Sequence, residues 1–396
     1  MSTTLYYTTI ITPREIVERG SVIISDEGKI AYSGLLEDAP RHDGRLIDLR
    51  GLYVVPGFID IHVHGGKGIT FGGSQDAAAE LKAYSEWVVS TGVTGFLTSI
   101  ATPDIKSLVA MVRAYAEAME QFSFWNLRDI PGAEPLGIHL EGPYLNPEKK
   151  GAFNPQWLRK PDFDEAVAVL EAGQGWIRQI TLAPELPGAR ELASIFRAAG
   201  VVVSMGHTNA NYADAAAALR GNFTHVTHTF NGQSGFHQRE PGVFGAILAS
   251  DVVTAELIAD GIHAHPGAMK ILTRCLGADR ITLITDAMAG AGLPDGTYEL
   301  VGQQVTVRSG IATVPDGTLA GSTAAMNQCV RNMASIVGLP LQQAVQMASL
   351  NPARTMGFAS RLGSIQNGKD ASLTVIDQDA NIYLTLVKGR VVYSNL

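Results

Sequence analysis

Two histidines stand two residues apart in the stretch Gly57-Phe58-Ile59-Asp60-Ile61-His62-Val63-His64-Gly65-Gly66. Extended backbone sends alternate side chains to opposite faces, so Asp60, His62 and His64 share one face while Ile59, Ile61 and Val63 point away. Neutral imidazole nitrogens are good ligands for zinc, iron, manganese and similar ions, and the glycines that follow permit a ligand to approach closely. Such a pair alone is a weak sign of a metal. Further along, the same residue types recur at the ends of apolar segments: Glu141, His207, His228 and Asp286, with His263 just beyond another. Of the ten histidines only His42 lies outside the interval from His62 to His265. Any one of them could be a hydrogen-bonded core histidine; a whole set at segment ends reads as ligands.

Four imidazoles and one carboxylate, His62, His64, His207, His228 and Glu141, suit one or two divalent ions with a position left open for water. Such an ion lowers the pKa of its water from about 15.7 toward ~7 and polarises a carbonyl. Asp286 is then free to take a proton during attack and return it to a departing amine. These residues point to metal-assisted hydrolysis of an amide. His139 is expected one layer deeper, His225 has the wrong parity for a ligand and reads as structural, and His265 stays open.

The elements that must carry these residues alternate between strand and helix. Eight apolar strand candidates run over Tyr53 to His64, Gly92 to Ile100, Leu136 to Glu141, Ile177 to Ala183, Val201 to His207, Phe223 to Phe230, Val252 to Ala259 and Arg280 to Asp286. Helical stretches with start signals follow most of them, as with Pro103-Asp104 before Ile105 to Gln121, Asn209 before Tyr212 to Leu219, and Pro266 before Gly267 to Leu276. Eight such units predict a (β/α)₈ TIM-like barrel, whose chemistry sits at the carboxyl ends of its strands. The ends of the chain differ. Leu5 to Ile11, Ser21 to Ser25, Lys29 to Ser33 and Leu46 to Leu49 alternate around turns, as do Ala371 to Ile376, Ile382 to Val387 and Arg390 to Tyr393. The expectation is an α/β chain in which residues 56–355 form the barrel and residues 1–55 plus 356–396 form a small β-sandwich domain. The hairpin at 298–314 is expected to join that β module.

Bulk properties fit an enzyme of this kind. The 396 residues are 46% hydrophobic and 17% charged, with 42 glycines, enough for a full core in a tightly turned globular chain. A net charge of −8 without any run of lysine or arginine argues against a nucleic-acid surface. No stretch approaches a membrane span and the first residues lack a signal-peptide pattern, so a cytoplasmic protein is expected. Cys275 and Cys329 read as two buried thiols. An anionic substrate needs a local basic device, and Asn231-Gly232-Gln233-Ser234-Gly235-Phe236-His237-Gln238-Arg239-Glu240-Pro241-Gly242 offers glycine-exposed amides beside an arginine, suited to a phosphate or carboxylate. The alternative is a plain glycine-rich loop with Arg239 paired to Glu240.

Taken together, Pro56 to Gly66, His139-Leu140-Glu141-Gly142-Pro143, Gly206-His207-Thr208, Thr227-His228-Thr229-Phe230-Asn231, Arg239-Glu240-Pro241-Gly242, Ala259-Asp260-Gly261-Ile262-His263 and Thr285-Asp286-Ala287-Met288 resemble the N-acetylglucosamine-6-phosphate deacetylases of the amidohydrolase superfamily. The likeness continues through Asp316 to Ser322 and Gly363 to Ala371. It implies metal-dependent removal of acetate from an N-acetylated amino-sugar 6-phosphate. It assigns Glu141, His207 and His228 to the main metal, His62 and His64 to a second, Asp286 to general acid/base catalysis, His263 to substrate binding, and Asn231, the Gly232 amide and Arg239 to the phosphate. The metal it implies is zinc or iron, with manganese or cobalt as alternatives, at one or two ions per subunit. It also implies a homodimer in which Arg239 can serve the neighbouring active site.

Two departures stand out. Ala152-Phe153-Asn154 occupies the place of a histidine that helps some members hold the sugar, and Asn231-Gly232-Gln233 replaces Asn-Ala-Met. The second loop is as similar to the N-acetylgalactosamine-6-phosphate deacetylases. The competing readings are that epimer, a cyclic-amide hydrolase of the same superfamily, and a non-catalytic sugar-phosphate sensor; retention of Asp286 and all five ligands disfavours the last.

Overall fold

A computed structural model describes residues 2–13, 15–41, 43–74, 76–123 and 132–396. Eight parallel strands follow one another around a barrel: Phe58–Val63, Val93–Ile100, Glu134–Glu141, Ile177–Leu182, Val202–Met205, Phe223–Val226, Thr254–Ile258 and Ile281–Ile284, here barrel strands one to eight. These are the eight expected segments. The first is shorter than expected, because Tyr53–Pro56 belongs to another sheet and the chain crosses into the barrel at Gly57. A Cβ at Gly57 would lie 2.2 Å from Thr94 Oγ1, so only glycine fits this crossing without a shift. The seam between strands eight and one is stitched from just past the end of strand eight. Thr285 Oγ1 donates to buried Asp60 at 2.5 Å, Asp286 N donates to His62 O at 2.9 Å, and His64 N to Ala287 O at 2.9 Å.

The outer helices form where capping and apolar spacing coincide. Asp162 and Asn211 accept from the amides of Glu165 and Asp214, opening the helices Phe163–Gly173 and Tyr212–Leu219. In Ala189–Ala198 the buried residues Ala189, Leu192, Ala193 and Phe196 recur at the helical period and face the barrel. Among the described residues no helix is long and apolar enough to cross a membrane.

Both chain ends meet in a single eight-stranded mixed sheet. Tyr53–Pro56 lies between Thr3–Ile11, to which it is parallel, and Leu373–Ile376, to which it is antiparallel. Leu5, Val22, Ile24, Val54, Leu373, Val375, Leu384 and Leu386 join in one buried cluster there. At the end of the barrel remote from the predicted ligands, Arg361 ties the two parts together, reaching Glu134 at 2.8 Å and Asp370 at 3.0 Å, while Lys29 reaches Asp370 at 2.5 Å. Although burial opposes ionisation, these two cations hold the Asp370 carboxyl below its usual range. A depressed carboxyl pKa contributes stability above the unfolded value, near 4, and loses it as pH falls through the folded value. Asp370→Asn is therefore expected to lower the denaturation midpoint at neutral pH, with the gap from the parent narrowing below about pH 4; urea titrations across that range check this.

Two expectations are corrected. The hairpin at 298–314 does not join the end sheet. Gly296–Leu300, Gln303–Arg308 and Ile311–Thr313 form their own three-stranded sheet, packed through Leu300, Val305, Val307 and Ala312 on Leu145, Phe153 and Met288. Alternation shows that a strand has one buried face, not which partner covers it. Cys329 is buried, but Cys275 is exposed on the helix Pro266–Leu276, whose inward stripe is Met269, Leu272, Thr273 and Leu276.

Candidate active site

The carboxyl ends of strands one, three, five, six and eight deliver His62 and His64, Glu141, His207, His228 and Asp286 to one point. Local backbone strain marks the place. His207, His228 and Asp286 have φ of 44°, 25° and 49°, left-handed values that non-glycine residues adopt at a cost of about 1–3 kcal/mol each and that concentrate at functional sites. Glu141 is central: its oxygens lie 3.4 Å from His62 Nε2, 3.0 Å from His64 Nε2, and 3.2 Å from both His207 Nε2 and His228 Nε2. Asp286 Oδ1 lies 3.5 Å from His62 Nε2 and 3.4 Å from His64 Nε2. Two buried groups result, His62 with His64 and Asp286, and Glu141 with His207 and His228, each with its ligand atoms within 4.8 Å of one another.

The hydrogen bonds around the rings leave lone pairs pointing inward. His207 Nδ1 donates to Lys149 O at 2.7 Å and His62 Nδ1 to Glu256 at 3.0 Å. In the neutral rings their Nε2 atoms carry the lone pairs; His62 Nε2 is buried without a hydrogen-bond partner, and His207 Nε2 stands 3.0 Å from His228 Nε2. Converging lone pairs of this kind fit a cation. The electrostatics agree: against the penalty of burial, Glu141, Asp286 and Glu256 push the His62 pKa well up, so the cluster favours positive charge at its centre.

A cavity of about 280 Å³ opens over this cluster. His64, Glu141, His207, His228 and Asp286 line it together with Asn231, Gly232 and His263. His263 Nδ1 is held by Asp260 at 2.7 Å, and although burial opposes it, that bond raises the His263 pKa. Arg239, in contrast, is exposed and absent from the lining. His139 is buried deeper, bonded to Ser99 and Thr181; His225 bonds Thr254 and faces Glu256; His265 caps the helix Pro266–Leu276.

The two departures noted above resolve differently. Phe153 lines the cavity and meets the His207 ring edge-on at 5.2 Å, so that wall is apolar. Gln233 points inward instead, bonding Thr227 O and Phe230 N and pinning the loop from within. Some contributors were missed. Leu300 and Val301, from the three-stranded sheet, overhang the cavity and separate it from a cleft of about 100 Å³ that also reaches His64. Glu256 is fully buried in strand seven beneath His62. Its only sequence signal is a carboxylate amid Val252, Val253, Ala255, Leu257 and Ile258.

A nearly closed parallel barrel with imidazoles and carboxylates converging at its strand ends defines a metal-dependent β/α-barrel hydrolase. Residues 53–392 match the amidohydrolase family model, and the chain belongs to that family. It is 36% identical over 388 residues to N-acetylglucosamine-6-phosphate deacetylase of Bacillus subtilis (strain 168), covering 97% of this chain and 95% of the relative. It is also 36% identical to N-acetylgalactosamine-6-phosphate deacetylase of Escherichia coli O157:H7, over 85% of this chain and 86% of the relative. Among solved structures, a substituted N-acetyl-D-glucosamine-6-phosphate deacetylase from Mycobacterium smegmatis, in complex with N-acetyl-D-glucosamine-6-phosphate, superposes with a TM-score of 0.89 at 34% identity, covering 100% of this chain and 99% of that one.

Proposed function

We propose that this enzyme hydrolyses the N-acetyl group of N-acetyl-D-glucosamine 6-phosphate to D-glucosamine 6-phosphate and acetate. The observation that carries the reading is the convergence of His62, His64, Glu141, His207, His228 and Asp286 beside a cavity that Asn231, Gly232 and His263 also line. In this reading Glu141, His207 and His228 hold a main divalent ion, and His62 and His64 a second, of which zinc or iron suits the donor set best. Such an ion would supply Lewis acidity for water activation and carbonyl polarisation. Asp286 takes the proton of the attacking water as oxygen bonds to the acetyl carbon, then gives it to the nitrogen as the C–N bond breaks, leaving acetate and a free amine. His263 and the Asn231-Gly232 amides orient the sugar and its phosphate. Phe153, in place of a polar side chain, offers the acetyl carbonyl no hydrogen bond from that wall.

The exposed position of Arg239 outside its own cavity supports the homodimeric reading, in which it reaches the phosphate bound by a second copy. Arg239→Ala is then expected to raise KM for phosphorylated substrate about 10-fold or more with kcat nearly kept, corresponding to the roughly 1.5–3 kcal/mol of a charged hydrogen bond. An unchanged activity ratio between phosphorylated and unphosphorylated sugar removes Arg239 from the site. The remaining parts of the proposal are a cytoplasmic location and a division into a barrel, 56–355, and a β unit of 1–55 plus 356–396.

Acetate release from N-acetylglucosamine 6-phosphate, its galactosamine epimer and the unphosphorylated sugar, with metal content measured on the same sample, tests the proposal. Preferred turnover of the galactosamine epimer moves the assignment to the reaction named for the Escherichia coli relative. No turnover of any of them at full metal occupancy rejects the deacetylase reading.

A further inference from the structure

Glu256 is a carboxylate buried beneath the site that the mechanism above does not use. It is fully buried, yet three hydrogen-bond donors reach its side chain. Oε2 receives His62 Nδ1–H at 3.0 Å and the backbone N–H of His228 at 3.0 Å. Oε1 receives Gln179 Nε2 at 2.7 Å and faces His225 Nε2 at 3.3 Å. Its own carbonyl receives the amide of Thr229 at 2.9 Å. One oxygen thus grips a member of each ligand group, His62 by its ring and His228 by its backbone.

A buried carboxylate is costly unless its donors are worth more than the water it gave up, and an uncharged acceptor could have held the same ring. The charge has a further effect here. A carboxylate on Nδ1 fixes the tautomer that presents the Nε2 lone pair and increases the basicity of that nitrogen, while the backbone bond sets where His228 leaves its strand. We infer that Glu256 is a positioning residue that fixes His62 and His228 together, so that both metal positions depend on this single side chain. The inference rests on the metal reading above.

Glu256→Gln tests it with little change of shape. Gln179 Oε1 is buried without a partner, so its amide can turn to receive the new Nε2–H₂ while the new carbonyl keeps His62 and His228. The variant removes the charge and keeps the packing. Zinc-loaded parent and variant enzymes are equilibrated against a graded series of chelator, retained zinc per protomer is measured, and thermal midpoints are recorded alongside. The expected result is zinc affinity lowered roughly 10–100-fold, the range seen for partners of metal-bound histidines. Retention within a factor of about two of the parent, whatever the midpoint does, overturns the inference, because a purely structural carboxylate would move the midpoint alone. A parent that retains no zinc, iron, manganese or cobalt overturns the metal reading and this inference with it. Should Glu256→Gln fail to fold, Gln179→Met removes a donor from the same carboxylate without burying new charge. A several-fold loss of zinc is then expected, and parent-like retention counts against the role.

Discussion

Asp286→Asn is expected to lower kcat by about 10²–10⁴-fold while the protein keeps its metal and still binds the sugar phosphate. The amide has nearly the shape of the carboxylate, and the seam at this point is untouched because backbone Asp286 N donates to His62 O and backbone Asp286 O accepts from Ser322 N. What it cannot do is accept the proton of an attacking water. Single-turnover acetate release, metal analysis and equilibrium binding of the substrate on one preparation separate these effects. Turnover within about tenfold of the parent would remove Asp286 from proton transfer.

Glu141→Gln should be the more damaging change. Glu141 lies against all four ligand imidazoles, and its carboxyl is held well below its usual range chiefly by the charge of His62, with the facing His207 and His228 rings contributing, against the opposing effect of burial. Replacing it removes a ligand and leaves an amide whose N–H₂ would face imidazole lone pairs or the ion itself. Metal affinity is expected to fall by more than the roughly 10–100-fold typical of an outer partner, with turnover following it. Metal per protomer after dialysis checks this, and recovery of turnover at high added metal would show that the defect lies in binding. Full metal retention in this variant would place the ion elsewhere.

The difference between these two variants reflects what the sequence made readable. A strand-end position is encoded twice, once by the apolar run that forms the strand and once by the polar residue that ends it, so His207, His228 and Asp286 could be placed before any coordinates. The His62 and His64 parity was equally legible because a strand has a strict period of two. Glu256 was not. It lies within its strand, with no spacing to set it apart, and its role depends on which ring three-dimensional closure puts above it. The hairpin at 298–314 failed for a related reason: its alternation was correct, but its partner is Phe153 and Met288, which no local pattern connects to it. Cys275 was misjudged because the exposed face of its helix is set by the barrel beneath. Phe153 was legible as a departure, while its contact with His207 was not.

The sheet shared by both chain ends has a consequence for how the protein is made. Tyr53–Pro56 leaves the ribosome more than three hundred residues before its antiparallel partner Leu373–Ile376, and Ile30 N awaits Lys369 O for the same interval. Until synthesis finishes, the early strands carry an open edge able to pair with a neighbouring nascent chain. The barrel can close first, since each of its strands finds the preceding one in sequence. A translation product stopped before residue 373 would thus display an assembled metal-ligand cluster above an unfinished base, and its hazard would be aggregation through that edge.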